Sequence, residues 1–418
     1  MSRPLLALLL VASPALADNW PQWRGPTNDG ICRETSLPTK WSESEGVAWK
    51  LKMPGLGGAT PCVWGDHIFL TSEEGKDLVL LCVGTDGKER WKKTLGPTPN
   101  KNRNAEVNFA TASPSTDGKH VFAFVGSGDF AAFDFAGNEV WHFNAQERWG
   151  KFRIQFGVHS TPVLDGDRLY LQLIHDGGGF VIAVDKATGN DVWKVERPSD
   201  GYMENKHSYA SASVWRKGAD ALLIVHGNDY TTAHRLDTGA EVWRVAGLNP
   251  KERYNPTLRF VASPLTTPDL IVIPSAKSGP VVGLDPTAAK GTIDQGNPAE
   301  RWRKLKGTPD VPSPLLVDGL VYLCRETGNL TCLDAATGQE YYAEQRTQTG
   351  RHRASPVWAD GKVYTTCRDT GTVTVVKAGR EFKVLETNKL PDTFAASPAI
   401  SGGRIYLRGF DYLWAVGK

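Results

Sequence analysis

The sequence predicts an all-β protein, an eight-bladed β-propeller built from four-stranded antiparallel blades. Three observations support this prediction: a cassette that recurs eight times, the absence of long helical apolar periodicity, and chain ends that complement each other. The clearest cassette runs from Ser160-Thr161-Pro162, through a Gly-containing turn and an apolar strand, to Trp193. Repeats of about 40 to 50 residues are typical of propellers and solenoids.

Each copy of the cassette begins at an anchor, a Ser or Thr followed by Pro. The fourth copy has the degenerate anchor Ser211-Ala212, which brings the number of copies to eight. Successive anchors are 42 to 53 residues apart, enough for four strands of ordinary length with their turns. The regular anchors are Thr60-Pro61, Ser113-Pro114, Thr161-Pro162, Ser263-Pro264, Ser313-Pro314, Ser355-Pro356 and Ser397-Pro398.

Most copies end with a glycine that is followed, four residues later, by an aromatic residue. Glycine permits the positive φ of a tight turn, and a flat indole packs well on a neighbouring sheet. These tryptophans are therefore expected to be structural. In the fifth copy, Trp302 comes only after an insertion at 286–298. The regular pairs are Gly87 with Trp91, Gly137 with Trp141, Gly189 with Trp193, Gly239 with Trp243 and Gly338 with Tyr342.

The two ends of the chain complement each other. The last copy stops after a third strand at 412–416, with no fourth strand behind it. Ahead of the first anchor, the segment 46–51 resembles the fourth strands of other copies, such as the one around Trp193. The front of the chain is therefore predicted to supply the missing strand, which closes the ring and leaves no long free edge.

The first 17 residues resemble a secretory signal peptide, with Arg3, an apolar run and small residues up to Ala17. Cleavage is predicted after Ala17. The apolar run is too short to span a membrane, and no other stretch is long enough, so no transmembrane segment is expected. We expect a periplasmic or secreted monomer. The predicted organisation is a signal peptide at 1–17, an N-terminal extension at 18–46 and one propeller domain at 47–418.

The composition excludes some classes of function. A formal net charge of +2 at pH 7 does not indicate the basic face of a nucleic-acid-binding protein. The six cysteines include no C-x-x-C pair, so no zinc or thioredoxin-like site is predicted, and no metal site. Cys324 and Cys332 flank a predicted hairpin turn. An exported protein permits a disulfide there, but the hairpin register decides it, so both states stay open.

The pattern Ala183-x-Asp185-x-x-Thr188-Gly189-x-x-x-Trp193 resembles, residue by residue, the repeat of the PQQ-like (quinoprotein-type) β-propeller family. The resemblance covers about residues 47 to 418 and implies the eight-bladed fold. Its eight-bladed members include pyrroloquinoline quinone (PQQ) dehydrogenases and an outer-membrane protein assembly lipoprotein, so the fold alone does not give the function.

The opening segment at 20–26, WPQWRGP, resembles that of poorly characterised exported bacterial members of this family. The resemblance also implies what a quinone enzyme needs. Family dehydrogenases hold the quinone over a bridge between two adjacent cysteines, with calcium bound by Glu, Asn and Asp. This chain has no adjacent cysteines, and its motifs do not identify three calcium ligands. No G-x-S-x-G motif supports serine hydrolysis, and no catalytic residue is predicted.

Function is expected to lie in what differs between the copies, the loops ahead of the anchors. In a propeller these loops share one face with the turns between second and third strands, and together they surround the channel. Arginines in these loops would bind the carboxylate or phosphate group of a ligand. The alternative is that acids such as Glu326 and Asp369 form ion pairs with these arginines. The ligand-binding candidates are His159, His207, Arg259, Arg325, Arg351, Arg353, Arg368 and Arg408.

His159 and Arg353 are the strongest candidates, because each lies two residues before an anchor. The predicted function is an exported, non-catalytic binding or scaffold protein that takes a ligand, or a protein, peptide or polysaccharide partner, at the channel rim. The alternative is a divergent PQQ-dependent or other cofactor-dependent oxidoreductase. The sequence does not identify a cofactor.

Overall fold

The computed structural model describes residues 19–99, 107–277 and 279–418. Its strands form eight sheets in sequence order, each built around four antiparallel strands. The predicted all-β, eight-bladed propeller is therefore confirmed. The predicted signal peptide and its cleavage after Ala17 lie outside the described residues. Within the described part of the chain, no helix is long and apolar enough to cross a membrane.

Within each blade, strands that follow one another in the chain pair with one another, from the innermost strand at the channel to the outermost. Blade 1 comprises Cys62–Trp64, His67–Glu74, Asp77–Gly84 and Glu89–Pro97. Blade 2 comprises Ser115–Thr116, His120–Phe124, Asp129–Asp134 and Glu139–Asn144. Blade 3 comprises Val163–Asp165, Arg168–His175, Gly178–Asp185 and Asp191–Glu196. Blade 4 comprises Ser213–Lys217, Asp220–Gly227, Tyr230–Arg235 and Glu241–Val245.

The second half of the ring repeats this plan. Blade 5 comprises Leu265–Thr266, Ile271–Pro274, Val281–Leu284 and Glu300–Lys304. Blade 6 comprises Leu315–Val317, Leu320–Cys324, Asn329–Asp334 and Glu340–Arg346. Blade 7 comprises Val357–Ala359, Lys362–Cys367, Thr372–Lys377 and Val384–Lys389. Blade 8 comprises Ala399–Ser401, Arg404–Arg408, Tyr412–Val416 and Val47–Lys52. The helical segments are short: Ala145–Trp149, Met203–Lys206 and Lys251–Arg253.

Two blades carry an additional strand that pairs in parallel. Gly291–Ile293, from the insertion at 286–298, lies beside the outermost strand of blade 4. Ile31–Cys32, from the N-terminal segment, lies beside the innermost strand of blade 7. Both strands come from stretches outside the repeat. Because the prediction was based on the repeat, it gave four strands per blade and did not include them. Each covers a sheet edge whose backbone groups would otherwise lack a strand partner.

The front of the chain closes the ring, as predicted. Val47–Lys52 pairs antiparallel with Tyr412–Val416 and forms the outermost strand of blade 8. Trp49 lies opposite Ala415, and its Nε1 donates to the Thr85 carbonyl of blade 1 at 2.8 Å. Buried residues of blades 7, 8 and 1 also belong to one apolar cluster. Strand pairing and burial therefore join the first blade to the last.

Tryptophans near the outer edge join one blade to the next. Trp141 of blade 2 packs against Gly189 of blade 3, whose φ is +70°. A Cβ added at Gly189 would lie 2.7 Å from Trp141 Cδ2, so a side chain does not fit there. Trp141 Nε1 also donates to the Lys186 carbonyl at 2.8 Å. The same two contacts recur for Trp49 with Gly87, Trp91 with Gly137, Trp193 with Gly239 and Trp302 with Gly338.

The interface between blades 4 and 5 is built differently. Trp243 is buried, but its Nε1 has no hydrogen-bond partner. Blade 5 has the insertion at 286–298 where the other blades have a short turn, and Gly291 of the added strand lies opposite Trp243. Parallel strand pairing therefore takes the place of the indole hydrogen bond at this interface.

All six cysteines are buried. In the hairpin of blade 6, Cys332 lies opposite Tyr322, and Cys324 lies opposite Leu330. The register therefore separates the two thiols that the sequence left open for a disulfide. Burial raises the pKa of both thiols to about 12.

Candidate functional site

The N-terminal segment 19–34 spans one end of the central channel. It contacts the innermost strands at positions that follow the anchor Ser or Thr in the chain. Gln22 Oε1 accepts a hydrogen bond from Leu164 N of blade 3 at 3.2 Å. Farther along, the Gly30 carbonyl accepts from Trp358 N of blade 7 at 2.9 Å. The segment therefore bridges blades that are not neighbours in the ring.

Arg24 fastens this segment to blade 6. Its Nη2 donates to the carbonyls of Asp29 and Pro314, both at 2.6 Å. Arg24 is only 4% exposed, and burial lowers its pKa to about 10. The guanidinium carbon also lies 5.8 Å from the ring centroid of Trp23. This local arrangement holds Trp23 in the wall of the channel.

A cavity of about 280 Å³ occupies the channel, and all eight anchor residues line it. The backbone N–H of each of the first seven anchors donates to the anchor hydroxyl of the following blade. Thr161 N, for example, donates to Ser211 Oγ at 2.9 Å, so the degenerate anchor takes the same place as the others. Seven successive links of 2.9 to 3.1 Å join the anchors in the order Thr60, Ser113, Thr161, Ser211, Ser263, Ser313, Ser355 and Ser397.

A second ring of residues lies ahead of the anchors and also lines the cavity. It consists of the residue two positions before each anchor, one from each blade. The hydroxyl ring is nearly uniform, whereas this ring changes from blade to blade. In blade order it comprises Gly58, Thr111, His159, Tyr209, Val261, Val311, Arg353 and Ala395.

Positive charge predominates among the ionisable groups of the cavity. Among the described residues, Arg259, Arg353 and Arg368 line it together with one carboxyl group, that of Asp310. Burial raises the pKa of Asp310, and the nearby Glu326 carboxylate acts in the same direction. The lining therefore carries more basic than acidic groups, and two of its arginines also pair with acids outside it, Arg259 with Glu204 and Arg368 with Asp369.

Four of the eight predicted site residues line the cavity: His159, Arg259, Arg353 and Arg368. His159 Nε2 donates to the Phe156 carbonyl at 3.0 Å, which orients the ring. Arg259 Nη1 pairs with Glu204 Oε2 at 2.8 Å.

Arg368 is positioned by two neighbours. Its Nη1 lies 3.3 Å from Asp369 Oδ1, and its guanidinium carbon lies 5.4 Å from the ring centroid of Phe410. Phe410 lines the cavity as well. Arg368 therefore combines an ion pair with an aromatic contact at the cavity wall.

The other four predicted residues do not line the cavity. His207 Nε2 lies 3.2 Å from Asp176 Oδ2, and Arg351 Nη2 lies 2.8 Å from Asp369 Oδ1. Arg408 is buried, and its Nη2 donates to the Gly55 carbonyl at 2.8 Å. These side chains contact neighbouring loops rather than the cavity.

Arg325 belongs to the same group, but its partner differs from the one considered in the sequence. Its Nη1 lies 3.3 Å from Glu344 Oε1, on the outermost strand of the same blade, rather than pairing with the adjacent Glu326. The carboxylate of Glu326 lies 4.0 Å from Lys277 Nζ of blade 5. Adjacency in sequence therefore identifies the acid that pairs with Arg368, which is Asp369, but not the acid that pairs with Arg325.

The cavity residues that were missed from the sequence include Trp23, Tyr209 and Asp310. Tyr209 lies two positions before the degenerate anchor, so the rule that selected His159 would have found it. Asp310 lies three positions before Ser313, so counting two positions back from the anchor does not select it. Trp23 lies in the N-terminal segment, outside every repeat.

The cavity residues do not fit a calcium-bound quinone. Calcium in proteins takes about six to eight oxygen ligands, several of them carboxylates. Within the described part of the chain, Asp310 is the one carboxyl group in the cavity lining, and no group of three or more His, Cys, Asp or Glu side chains converges to hold a metal. No reaction step through such a cofactor follows from these residues.

The family profile described as outer membrane protein assembly factor BamB matches residues 35–195 and 212–379. These two stretches make up more than half of the chain. The chain belongs to this family. No curated protein sequence matches the chain significantly.

Solved structures share the fold at low sequence identity. BamB from Moraxella catarrhalis is 15% identical, with a TM-score of 0.63, and the match covers 88% of this chain and 99% of that one. A europium-containing methanol dehydrogenase is 15% identical, with a TM-score of 0.70 and coverage of 94% and 90%. Quinohemoprotein alcohol dehydrogenase from Comamonas testosteroni is 14% identical, with a TM-score of 0.69 and coverage of 96% and 81%. These likenesses establish the PQQ-like propeller fold and leave the function to the site.

Proposed function

We propose that this protein is an exported, non-catalytic binding propeller whose cavity receives a negatively charged group of a protein or peptide partner. The observation that carries the proposal is the charge of the cavity. Among the described residues, three arginines and His159 line it with one carboxyl group, whose pKa is raised by burial. An arginine in a recessed site binds a carboxylate through two parallel hydrogen bonds.

The size of the cavity suits a single chemical group of a partner rather than a whole large ligand. Pockets for drug-sized ligands have volumes of about 300 to 1,000 Å³, and this cavity is slightly smaller at about 280 Å³. An acidic side chain or a chain terminus fits such a volume while the rest of the partner lies on the face around it. The anchor hydroxyls accept hydrogen bonds within their ring and still have protons to donate to an anion.

The family description supports a polypeptide as the partner, because it names a factor in outer membrane protein assembly. The predicted signal peptide is consistent with a partner in the cell envelope. The binding face would be the one that carries the anchors, since the N-terminal segment spans the other end of the channel.

The test compares peptides and variants by isothermal titration calorimetry. Acidic peptides should bind the wild-type protein, and the same peptides with Gln for Glu and an amidated C-terminus should bind much more weakly. The double substitution His159→Gln and Arg353→Gln should raise the Kd at least about tenfold, because it removes two groups that contact the anion.

Lys119→Gln serves as the matched control, because it removes one positive charge from an exposed turn between the first two strands of blade 2. This control should bind as the wild type does. The double variant should also melt within about 2 °C of wild type, since its side chains face an open cavity. Unchanged peptide affinity in the double variant, or a large loss of stability, would contradict a binding role for these residues.

A second candidate function, an oxidoreductase with an anionic cofactor, is favoured by the likeness to quinoprotein dehydrogenases and by the same positive cavity. Absorption spectroscopy and mass spectrometry of protein purified from its native host separate the two. A bound quinone, with dye reduction that depends on calcium, would replace the binding proposal with this one.

A further inference from the structure

A stacked pair of tyrosines lies outside the cavity on the anchor-bearing face. The ring centroids of Tyr202 and Tyr254 are 4.6 Å apart, and their planes are inclined by only 16°. Tyr202 is 48% exposed, and the adjacent Met203 is 60% exposed. An exposed ring of this size presents a flat apolar surface to a ligand.

The surroundings of Tyr254 fix this pair in place. The Tyr254 hydroxyl donates to Asp229 Oδ2 at 2.5 Å and accepts from Asn205 Nδ2 at 2.9 Å. Lys251 Nζ lies 4.5 Å from the centroid of the Tyr254 ring. A stacked ring and an ammonium group cannot both occupy one face at these distances, so Tyr202 and Lys251 cover opposite faces. The outer side of Tyr202 is therefore the part of the pair that a ligand can reach.

The backbone around the pair is also unusual. Met203 has a φ of 55°, in the left-handed region that favours glycine, whereas Asn228 and Asp229, with φ values of 49° and 67°, form the two-residue turn between the second and third strands of blade 4. Such conformations persist where the surrounding structure enforces them, and they concentrate at binding sites. Asn205 Oδ1, close to the pair, is buried without a hydrogen-bond partner. The loop that carries Tyr202 and Met203 therefore holds a backbone conformation that costs stability.

A polar groove of about 460 Å³, within the size range of small-ligand sites, is lined by Glu204 and Asn255, which follow Tyr202 and Tyr254 closely in the chain. Its charges balance, because Glu204 and Asp310 are matched by Arg259 and Lys277. Arg259 and Asp310 also line the cavity, so the groove and the cavity are neighbours. The residues lining the groove are Glu204, Asn255, Thr257, Leu258, Arg259, Ala276, Lys277 and Asp310.

We propose that the exposed face of Tyr202 and this groove form a binding site for a neutral oligosaccharide. One face of a sugar ring consists of C–H groups, which carry partial positive charge and pack on the negative face of an aromatic ring. The hydroxyl groups of a sugar both donate and accept, and the groove offers carboxylate, amide, hydroxyl, ammonium and guanidinium partners. Because the charges of the groove balance, it suits an uncharged ligand better than an anion.

The groove fits a proline-rich peptide less well. Such peptides dock in grooves lined by several aromatic side chains. Here the residues lining the groove include no aromatic side chain, and Tyr202 supplies one exposed ring beside it. This site does not depend on the proposed function of the cavity, since its ligand is neutral and Tyr202 does not line the cavity.

The test is affinity electrophoresis of the full-length protein in native gels that contain xylan, galactomannan, laminarin, hydroxyethylcellulose or dextran. At least one polysaccharide should retard the wild-type protein. Tyr202→Ala should raise the Kd for that polysaccharide at least about tenfold, because the stacking surface is lost. Tyr202→Phe keeps the ring and should bind as the wild type does. Lys277→Ala should weaken binding several-fold without altering the tyrosine pair.

Val140→Ala is the control for removal of an exposed side chain far from the groove, since Val140 lies on the outermost strand of blade 2. It should be retarded like wild type, and all variants should share the wild-type melting temperature. Failure of every polysaccharide to retard the protein would overturn the proposal, as would equal retardation of Tyr202→Ala. The double variant of His159 and Arg353 should be retarded normally, which separates this site from the cavity.

Discussion

The outer edge and the cavity rim of this propeller come from the same repeat, but they differ in how much the blades vary. At the outer edge, five interfaces use the same tryptophan, the same glycine and the same indole hydrogen bond. At the rim, the eight residues that lie two positions before the anchors include seven residue types. The uniform positions build the ring, and the variable positions give the cavity its chemistry.

Space explains this difference. At the outer edge, a Cβ at Gly189 or Gly239 would lie within 2.7 Å of a tryptophan ring, so only glycine fits. At the rim, the side chain enters an open cavity, and residues as different as glycine and arginine occupy equivalent positions. Changes at the outer edge should therefore affect stability, whereas changes at the rim should affect binding.

The largest effect is expected from Trp141→Ala. This substitution empties a closely packed site and removes the hydrogen bond to the Lys186 carbonyl. Replacing a buried tryptophan with alanine costs about 3 to 5 kcal/mol in the free energy of unfolding. Urea unfolding followed by circular dichroism measures the change.

A pair of tryptophan-to-phenylalanine variants isolates the hydrogen bond in this contact. Trp141→Phe removes a bonded indole N–H, whereas Trp243→Phe removes one that has no partner. The first should therefore lose about 1 kcal/mol more than the second. Equal losses would show that the indole hydrogen bonds add nothing to the outer-edge contacts.

A smaller effect is expected at the hydroxyl ring, which lies between the two regions compared above. Ser263→Ala leaves the buried Ser211 N–H without its acceptor, a loss of about 1 to 3 kcal/mol in the free energy of unfolding. Ser263→Thr keeps a hydroxyl and should lose much less, since Thr60 and Thr161 occupy equivalent positions. Thermal unfolding of the two variants under identical conditions measures the difference. A neutral Ser263→Ala would show that water replaces the hydroxyl.

The sequence predicted the fold well because the repeat records it locally. Each anchor, turn and tryptophan lies within one copy, and the complementary ends at Val47–Lys52 and Tyr412–Val416 revealed the closure. The added strands were not predictable in this way. Ile31–Cys32 pairs with a strand more than 300 positions later in the chain, and no local pattern indicates that pairing.

The site was only partly predictable for the same reason. Counting back from the anchors placed His159 and Arg353 on the cavity wall, because equivalent positions in a repeat share an orientation. The rule does not extend to Trp23, which the Arg24 hydrogen bond to Pro314 secures across 290 positions of sequence. Counting back from the anchors also does not predict which acid pairs with an arginine, because Arg325 pairs with Glu344 on another strand of its blade.

The smallest expected effect is a dependence of stability on pH. It distinguishes two carboxyl groups on the same face, those of Asp310 and Asp369. Burial raises the pKa of Asp310, so the folded protein binds this proton more tightly than the unfolded chain does. Its contribution to stability is therefore greatest below the unfolded pKa of about 4 and is lost as the pH rises through the higher folded value. Asp310→Asn should be more stable than wild type at pH 7, and this advantage should disappear towards pH 4.

Asp369 provides the opposite case for comparison. The hydrogen bond from Arg351 lowers the pKa of Asp369, so its contribution to stability is present above about pH 4 and is lost as the pH falls through the lowered value. Asp369→Asn should therefore be less stable than wild type at pH 7, and the deficit should shrink in acid. Melting temperatures of both variants from pH 2 to pH 8 give the two signs and show each difference fade in acid. If both variants changed stability in the same direction at pH 7, the cavity carboxyl group of Asp310 and the ion-paired carboxyl group of Asp369 would not differ in the way proposed.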